Sequence, residues 1–373
     1  MSMALGTHAA KLERWLGAEE VERLSRSCRD WYGPPIPVDG VPGAVYVGRG
    51  GDFRGRIEVG LEATAKGVFR DLFRRLKRAS RYAGKMDSLN AGFSSLSDLI
   101  SEATAGKKQY LLLGKGGFTG VVSATTSLWG GAGTPAAGAN ASNAPGGDAP
   151  TSATAGSLPF NNAAGGDTLH FTKADMLATV GATLLAYDRL FQVNKTMNST
   201  TTEAVTGTQS RYANTTAGTA DSAEGNFLFV EVGGTALAAT AHNWTVCQYT
   251  SQNGTTARTM PSLAGNASAI VRRLDHPLGQ WFAPLASGDT GIRYLTQMQC
   301  DAAVATGVVN FVIGHPLFFI PCPVANLMTT VDGVNTSFSL ARVMDNACLS
   351  FLDVIKSAVT ATNFAGLIEL VSG

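Results

Sequence analysis

Ile292-Arg293-Tyr294-Leu295-Thr296-Gln297-Met298-Gln299-Cys300 follows the turn-forming stretch Gly288-Asp289-Thr290-Gly291. Ile292, Tyr294, Thr296, Met298 and Cys300 alternate with Arg293, Leu295, Gln297 and Gln299. That period of two predicts a half-buried strand. Comparable runs lie on both sides of it. Strands are expected near Thr183–Lys195, Asn226–Val232, Trp244–Thr250, Thr256–Met260, Ala269–Arg273, Trp281–Leu285 and Val308–Ile320. Gly233-Gly234, Asn253-Gly254 and Gly265-Asn266 separate them with residues that accept the backbone of tight turns. Such hairpin-like spacing predicts a mainly β chain whose 167–373 portion is a jelly-roll-like antiparallel β-sandwich. Leu340 to Ser357 reads differently. Val343, Cys348, Phe351, Leu352 and Ile355 fall near helical spacing, which predicts one C-terminal amphipathic helix before a last strand.

Upstream, Gly130 to Gly166 holds nine Gly, eleven Ala and a single charge, Asp148. A tract with so little apolar area cannot offset its own ordering entropy. The 116–166 portion is therefore expected to be a linker, or an arm ordered by lying along other subunits. Tyr110 to Trp129 reads as one or two strands interrupted at Gly114–Gly117.

Residues 1–115 are expected to form a helical, basic region. One helix is predicted over His8–Asp30, ended by Gly33-Pro34-Pro35, and another over Ser88–Thr104, closed by Gly106. Between Lys66 and Lys85 stand eight basic residues, Lys66, Arg70, Arg74, Arg75, Lys77, Arg78, Arg81 and Lys85, against one acidic residue, Asp71. Phe69, Leu72, Phe73 and Leu76 form an apolar stripe at i, i+3, i+4, i+7 beside them. Like charges at i, i+4 repel when unpaired. The excess therefore points to contact with phosphate or with an acidic partner surface, beyond what solvating a helix face requires.

Charge divides the chain. Residues 1–115 carry 19 basic and 13 acidic side chains; from Gly116 on there are 10 and 15 in 258 residues. An ordinary soluble domain carries charge at about a quarter of its positions. A chain this poor in charge is expected to cover its surface with neighbouring subunits. Lys11, Glu13 and Arg14 stand where a secretion signal would need an apolar run, so the chain is expected to remain in the cytoplasm where it is made. The longest apolar stretch, Val308–Ile320, is broken by Asn310, Gly314, His315 and Pro316, and no membrane partner is expected.

Motifs of chemistry are weak throughout. Leu113-Gly114-Lys115-Gly116-Gly117 lacks the Ser/Thr and spacing of a phosphate loop and reads as a glycine bulge in a strand. The five histidines, His8, His170, His242, His276 and His315, never fall at i, i+4, so no metal pair is readable. Asp188, Asp275, Asp289 and Asp332 carry no sequence relation to one another, and Asp289 reads as a turn-former. The five cysteines are scattered, which argues for buried thiols over a disulfide framework. Eight Asn-x-Ser/Thr triplets, with no secretion signal, read as by-products of composition. No enzyme, metal or cofactor is expected.

The span Leu185–Pro323 resembles structural proteins of tailed-bacteriophage particles. The resemblance rests on Tyr187-Asp188-Arg189-Leu190-Phe191-Gln192-Val193-Asn194-Lys195, on Asn226–Val232, and on Trp281-Phe282-Ala283-Pro284-Leu285 with Gly288–Arg293. It implies a subunit of a virus particle. Taken with the low charge and the basic helix, the chain is expected to be a capsid or head-associated virion protein whose partners are copies of itself, other virion proteins and, through the basic helix, packaged nucleic acid. The resemblance implies no catalytic residues. Two alternatives stand beside it. One is a tail or fibre attachment protein that binds glycans through an exposed cluster such as Trp244, Tyr249 and Trp281. The other is a carbohydrate-active enzyme with two carboxylates in a cleft.

Overall fold

The computed structural model describes residue 93 and residues 95–119, 122–334, 340–357 and 359–373. The chain divides into two units, Met1–Ala79 and Ser80–Gly373, and all described residues belong to the second. The elements expected within 1–92, including the helix His8–Asp30 and the basic helix, lie outside them.

The described residues contain one α-helix, α1, at Leu96–Thr104. Ser95 caps it, its Oγ accepting from the Asp98 amide at 3.1 Å. At the other end Gly106 takes φ +90°. The Gly106 amide donates to Ala103 O and the Lys107 amide to Glu102 O, the paired bonds of a Schellman ending. The predicted Gly106 stop is thus borne out.

The strands of the described residues form three antiparallel sheets. Sheet I joins β1 (Lys108–Phe118), β3 (Gly133–Thr134), β4 (Leu169–Ala178), β13 (Thr329–Asp332), β14 (Arg342–Val343) and β16 (Thr362–Ser372), in the order β13-β4-β16-β1-β3 with β14 on β4. Sheet II joins β2 (Thr126–Ser127), β5 (Ala182–Thr196), β7 (Phe227–Val232), β12 (Val308–Cys322) and β15 (Leu349–Lys356), in the order β2-β15-β5-β12-β7. Sheet III joins β6 (Glu203–Ala204), β8 (Asn243–Ser251), β9 (Arg258–Thr259), β10 (Leu263–Ala264) and β11 (Ile292–Cys300), in the order β10-β8-β11-β6 with β9 on β8.

The 15-residue strands β5 and β12 pair along their whole length and serve both other sheets. Leu184, Ala186, Phe318 and Ile320 at one end pack on Phe171, Met176, Phe364 and Ile368 of sheet I. The Phe171 and Phe318 rings stack at 3.6 Å. Phe191, Val193, Val309 and Phe311 at the other end pack on Trp244, Tyr249, Leu295 and Met298 of sheet III. A third cluster, Leu185, Tyr187, Phe229, Leu274, Val312 and Leu352, takes the opposite face of sheet II by strand alternation.

Three expected elements need correction. The C-terminal helix over Leu340–Ser357 is absent: these residues form β14 and β15. Leu349 and Phe351 enter the core against sheet I while Leu352 and Val354 enter the third cluster. A strand buried on both faces loses its alternation and mimics helical spacing. Likewise, Ala269–Arg273 and Trp281–Leu285 are not strands. They lie in an irregular stretch that bonds to the edge of β7, for example from the Ala283 amide to Leu228 O at 2.7 Å.

The glycine bulge does form: β1 runs on through Gly114–Gly117, with its register to β16 shifting between Lys115 and Phe118. Bulges also alter β11, whose buried residues are Ile292, Leu295, Met298 and Cys300. Leu295 is therefore turned inward, against the simple alternation. The described part of the Gly/Ala segment lies on its own chain. Beyond the end of β15, the Asn194 amide donates to Ser142 O, and Gln192 and Asp148 exchange both backbone bonds at 2.8 and 2.9 Å. Residues 142–148 thus extend sheet II.

Candidate functional site

The eight basic residues Lys66, Arg70, Arg74, Arg75, Lys77, Arg78, Arg81 and Lys85 lie outside the described residues. The polar centre that the structure does build was not visible in the sequence. On β5, the register shift between Ile313 and Gly314 of β12 leaves Leu190 unpaired. This turns Arg189 to the side of Gln192, and its Nε donates to Gln192 Oε1 at 2.7 Å. Arg189 Nη2 meets Glu231 Oε1 of β7 at 2.5 Å, and Nη1 donates to Tyr187 Oη at 3.2 Å. Asn194, Asn310 and Glu231 are register partners on β5, β12 and β7. Their side chains continue the network: Asn194 Nδ2 donates to Asn310 Oδ1 at 3.2 Å and Asn310 Nδ2 to Glu231 Oε1 at 3.1 Å.

Arg189 is fully buried, yet it holds its proton more tightly than a free arginine. Burial works against the charge, and Glu231 with the Tyr187 hydroxyl overrides it. Trp129 roofs the guanidinium at 4.4 Å. Beside Trp129 opens a recess of about 730 Å³ lined by Asn140, Ser142, Asp148, Thr154 and Gln192. Trp129 offers it no stacking face. One face lies on Arg189, Gly138 and Gly156 press on the ring, and Nε1 donates to Ala139 O at 2.8 Å. The centre therefore ties three strands and the 129–150 segment together.

The four aspartates are held by different partners. Asp188 takes a bidentate contact from Arg211 at 2.8 and 2.9 Å. Asp275 accepts from His242 and Trp244 at 2.9 and 2.8 Å. Asp289 accepts from Tyr249 Oη and Arg258, and Asp332 accepts from the Val334 amide. Cys247, Cys300, Cys322 and Cys348 are buried free thiols, as expected. Burial pushes Cys247 and Cys348 up to about 12 and Cys322 up to about 11, which suppresses thiolate chemistry. Of the aromatic cluster proposed for glycans, Trp244 and Tyr249 are buried, and Trp281 packs edge-on to Phe227.

Few charges stand fully exposed. Of the charged side chains described from Gly116 on, Lys173, Asp301 and Asp345 alone are exposed. Lys173 is bridged to Asp175 and Asp301 is bonded to Asn243. Apolar side chains replace charge at several places. Leu96 and Ile100 on α1, Tyr110 and Leu112 on β1, and Val324, Leu327, Met328 and Val359 in turns are each more than half exposed.

No family model matches the chain, and no curated protein matches it. Among solved structures, the VP2 subviral particle of infectious bursal disease virus aligns over 71% of this chain and 80% of its own, at 9% identity and a TM-score of 0.14. A likeness that weak carries no argument.

Proposed function

We propose that this chain is a structural, non-enzymatic subunit of a bacteriophage or other virus particle, whose copies build or reinforce the shell. The observation that supports this best is the charge-poor, partly apolar exterior of the described residues. Such a surface is badly suited to a solitary soluble protein and well suited to contact with other subunits. Within this reading the sandwich-like sheets serve as a jelly-roll-like shell domain. The basic stretch Lys66–Lys85 faces packaged nucleic acid or an acidic neighbour.

Electron microscopy and sedimentation of the purified full-length chain test the proposal. Closed or regular multi-copy assemblies are the expected outcome. A monodisperse monomer at high protein concentration overturns it, and isolated trimers redirect it to an attachment role.

A further inference from the structure

The outer edge of β7 is closed by residues 272–283, which do not form a strand. Arg272 N donates to Val232 O, Val232 N to Arg273 O and Asp275 N to Val230 O, each at 2.8 Å, and Ala283 N to Leu228 O at 2.7 Å. One link is of another kind. The Val230 amide donates to Nε2 of the His276 side chain at 2.9 Å. His276 is buried, and an imidazole nitrogen accepts only while it is unprotonated. The ring therefore carries its single proton on Nδ1.

We infer that His276 is an acid-sensitive clasp: on taking a second proton, Nε2 becomes a donor facing the Val230 amide, and residues 272–283 release the edge of β7. Two donors confronting each other in a buried site lose the bond and leave both groups unsatisfied. The freed edge, Leu228 to Val232, then presents backbone groups that another extended segment can pair with.

The charges around the ring leave this logic intact. Asp275 on the same segment favours protonation, but its carboxylate is already shared by His242 Nε2, Trp244 Nε1 and the Asn266 amide. His242, just before β8, points its other nitrogen at Thr240 O, and Asp301 also lies near it. Both of its nitrogens thus face acceptors, so acid strengthens that contact while weakening the one at His276. Arg272 and Arg273 add positive charge on the segment itself. Glu231 on β7 is engaged by Arg189. Residues 277–283 and 122–126, which border the site, contain no charged side chain. Burial holds His276 down to about 4. The clasp therefore weakens as pH falls below the ordinary histidine range and opens toward that value.

The test is hydrogen exchange by mass spectrometry on the full chain between pH 7 and 4, corrected for intrinsic rates. Protection of peptides covering 227–232 and 272–283 is expected to fall about tenfold or more, while β5 and β12 keep theirs. His276→Gln keeps an acceptor at the Nε2 position without a titration and is expected to retain protection at pH 4. Unchanged protection in the wild-type chain, or the same loss in H276Q, overturns the inference. If H276Q does not fold, the ¹⁵N shift of the wild-type His276 ring decides. Nε2 is expected to be unprotonated at pH 7 and to titrate together with the loss of protection. A ring protonated at Nε2 at pH 7 sinks the proposal.

Discussion

Arg189 and Glu231 form their ion pair across an intervening strand: β5 and β7 each pair with β12 and not with one another, yet Nη2 and Oε1 are 2.5 Å apart. The contact therefore locks three strands. Glu231→Leu strands a buried guanidinium and is expected to cost about 3–5 kcal/mol in urea unfolding. Arg189→Met with Glu231→Leu removes both charges, although Gln192 Oε1 and Asn310 Nδ2 then each lose a partner. The double variant is expected to cost well below the sum of the two single ones. Strict additivity would show that the pair acts as two independent groups.

Close packing makes a second prediction. A Cβ on Gly138 would stand 2.2 Å from Trp129 Cε2, inside the ring's own volume. Gly138→Ala is expected to destabilise by about 1–3 kcal/mol and to shift Trp129 fluorescence. A Cβ on Gly146 would meet nothing within 4 Å, and Gly146→Ala is expected to stay within about 0.5 kcal/mol of the parent. Equal effects from the two would mean that Trp129 is not held as described.

Those glycines also show where the sequence could and could not be read. β5, β7, β8, β11 and β12 were legible because each is rich in β-branched, aromatic and other apolar residues and stands between turn residues. The 130–166 segment read as a linker, or as an arm ordered by other subunits, because its composition offers little apolar area to offset ordering entropy. At Gly138, Gly147 and Gly156 glycine is instead the residue that lets the chain touch Trp129 and Phe191. β15 was obscured by burial on both faces, and β4 because Lys173 and Asp175 interrupt its apolar run. The Arg189 centre depends on a bulge and on partners 42 to 121 positions away, as with Glu231 and Asn310. No local pattern encodes that.

Lys115 yields a pH prediction. Its Nζ is buried against the carbonyls of Gly131 and Ala136, at 2.6 and 3.3 Å. Burial, with Arg272 nearby, pulls it down to about 8. Between pH 8 and the ordinary lysine value near 10.5 the unfolded chain binds this proton and the folded chain does not. Stability from this group therefore rises with pH across that window, opposite to a salt-bridged lysine. Subtracting the unfolding free energy of Lys115→Met from that of the parent, at pH 7.5 and pH 10, is expected to give a larger difference at pH 10. A flat difference would place the Lys115 amine in solvent, and a falling one would mean that the fold favours its charged form.

The basic stretch supplies the last prediction, which bears on assembly. Arg74→Glu, Arg78→Glu and Arg81→Glu together change the local charge by six units and leave the apolar positions Phe69, Leu72, Phe73 and Leu76 untouched. If this stretch meets nucleic acid or an acidic neighbour, attraction becomes repulsion, and the effect weakens with added salt. Particle yield or genome content is expected to fall while the β-type circular dichroism of the full chain is unchanged. Loss of genome with normal particle yield identifies nucleic acid as the partner; loss of particles identifies a neighbouring subunit. Unaltered yield and content would assign these arginines to a solvated face and remove the electrostatic part of the proposal.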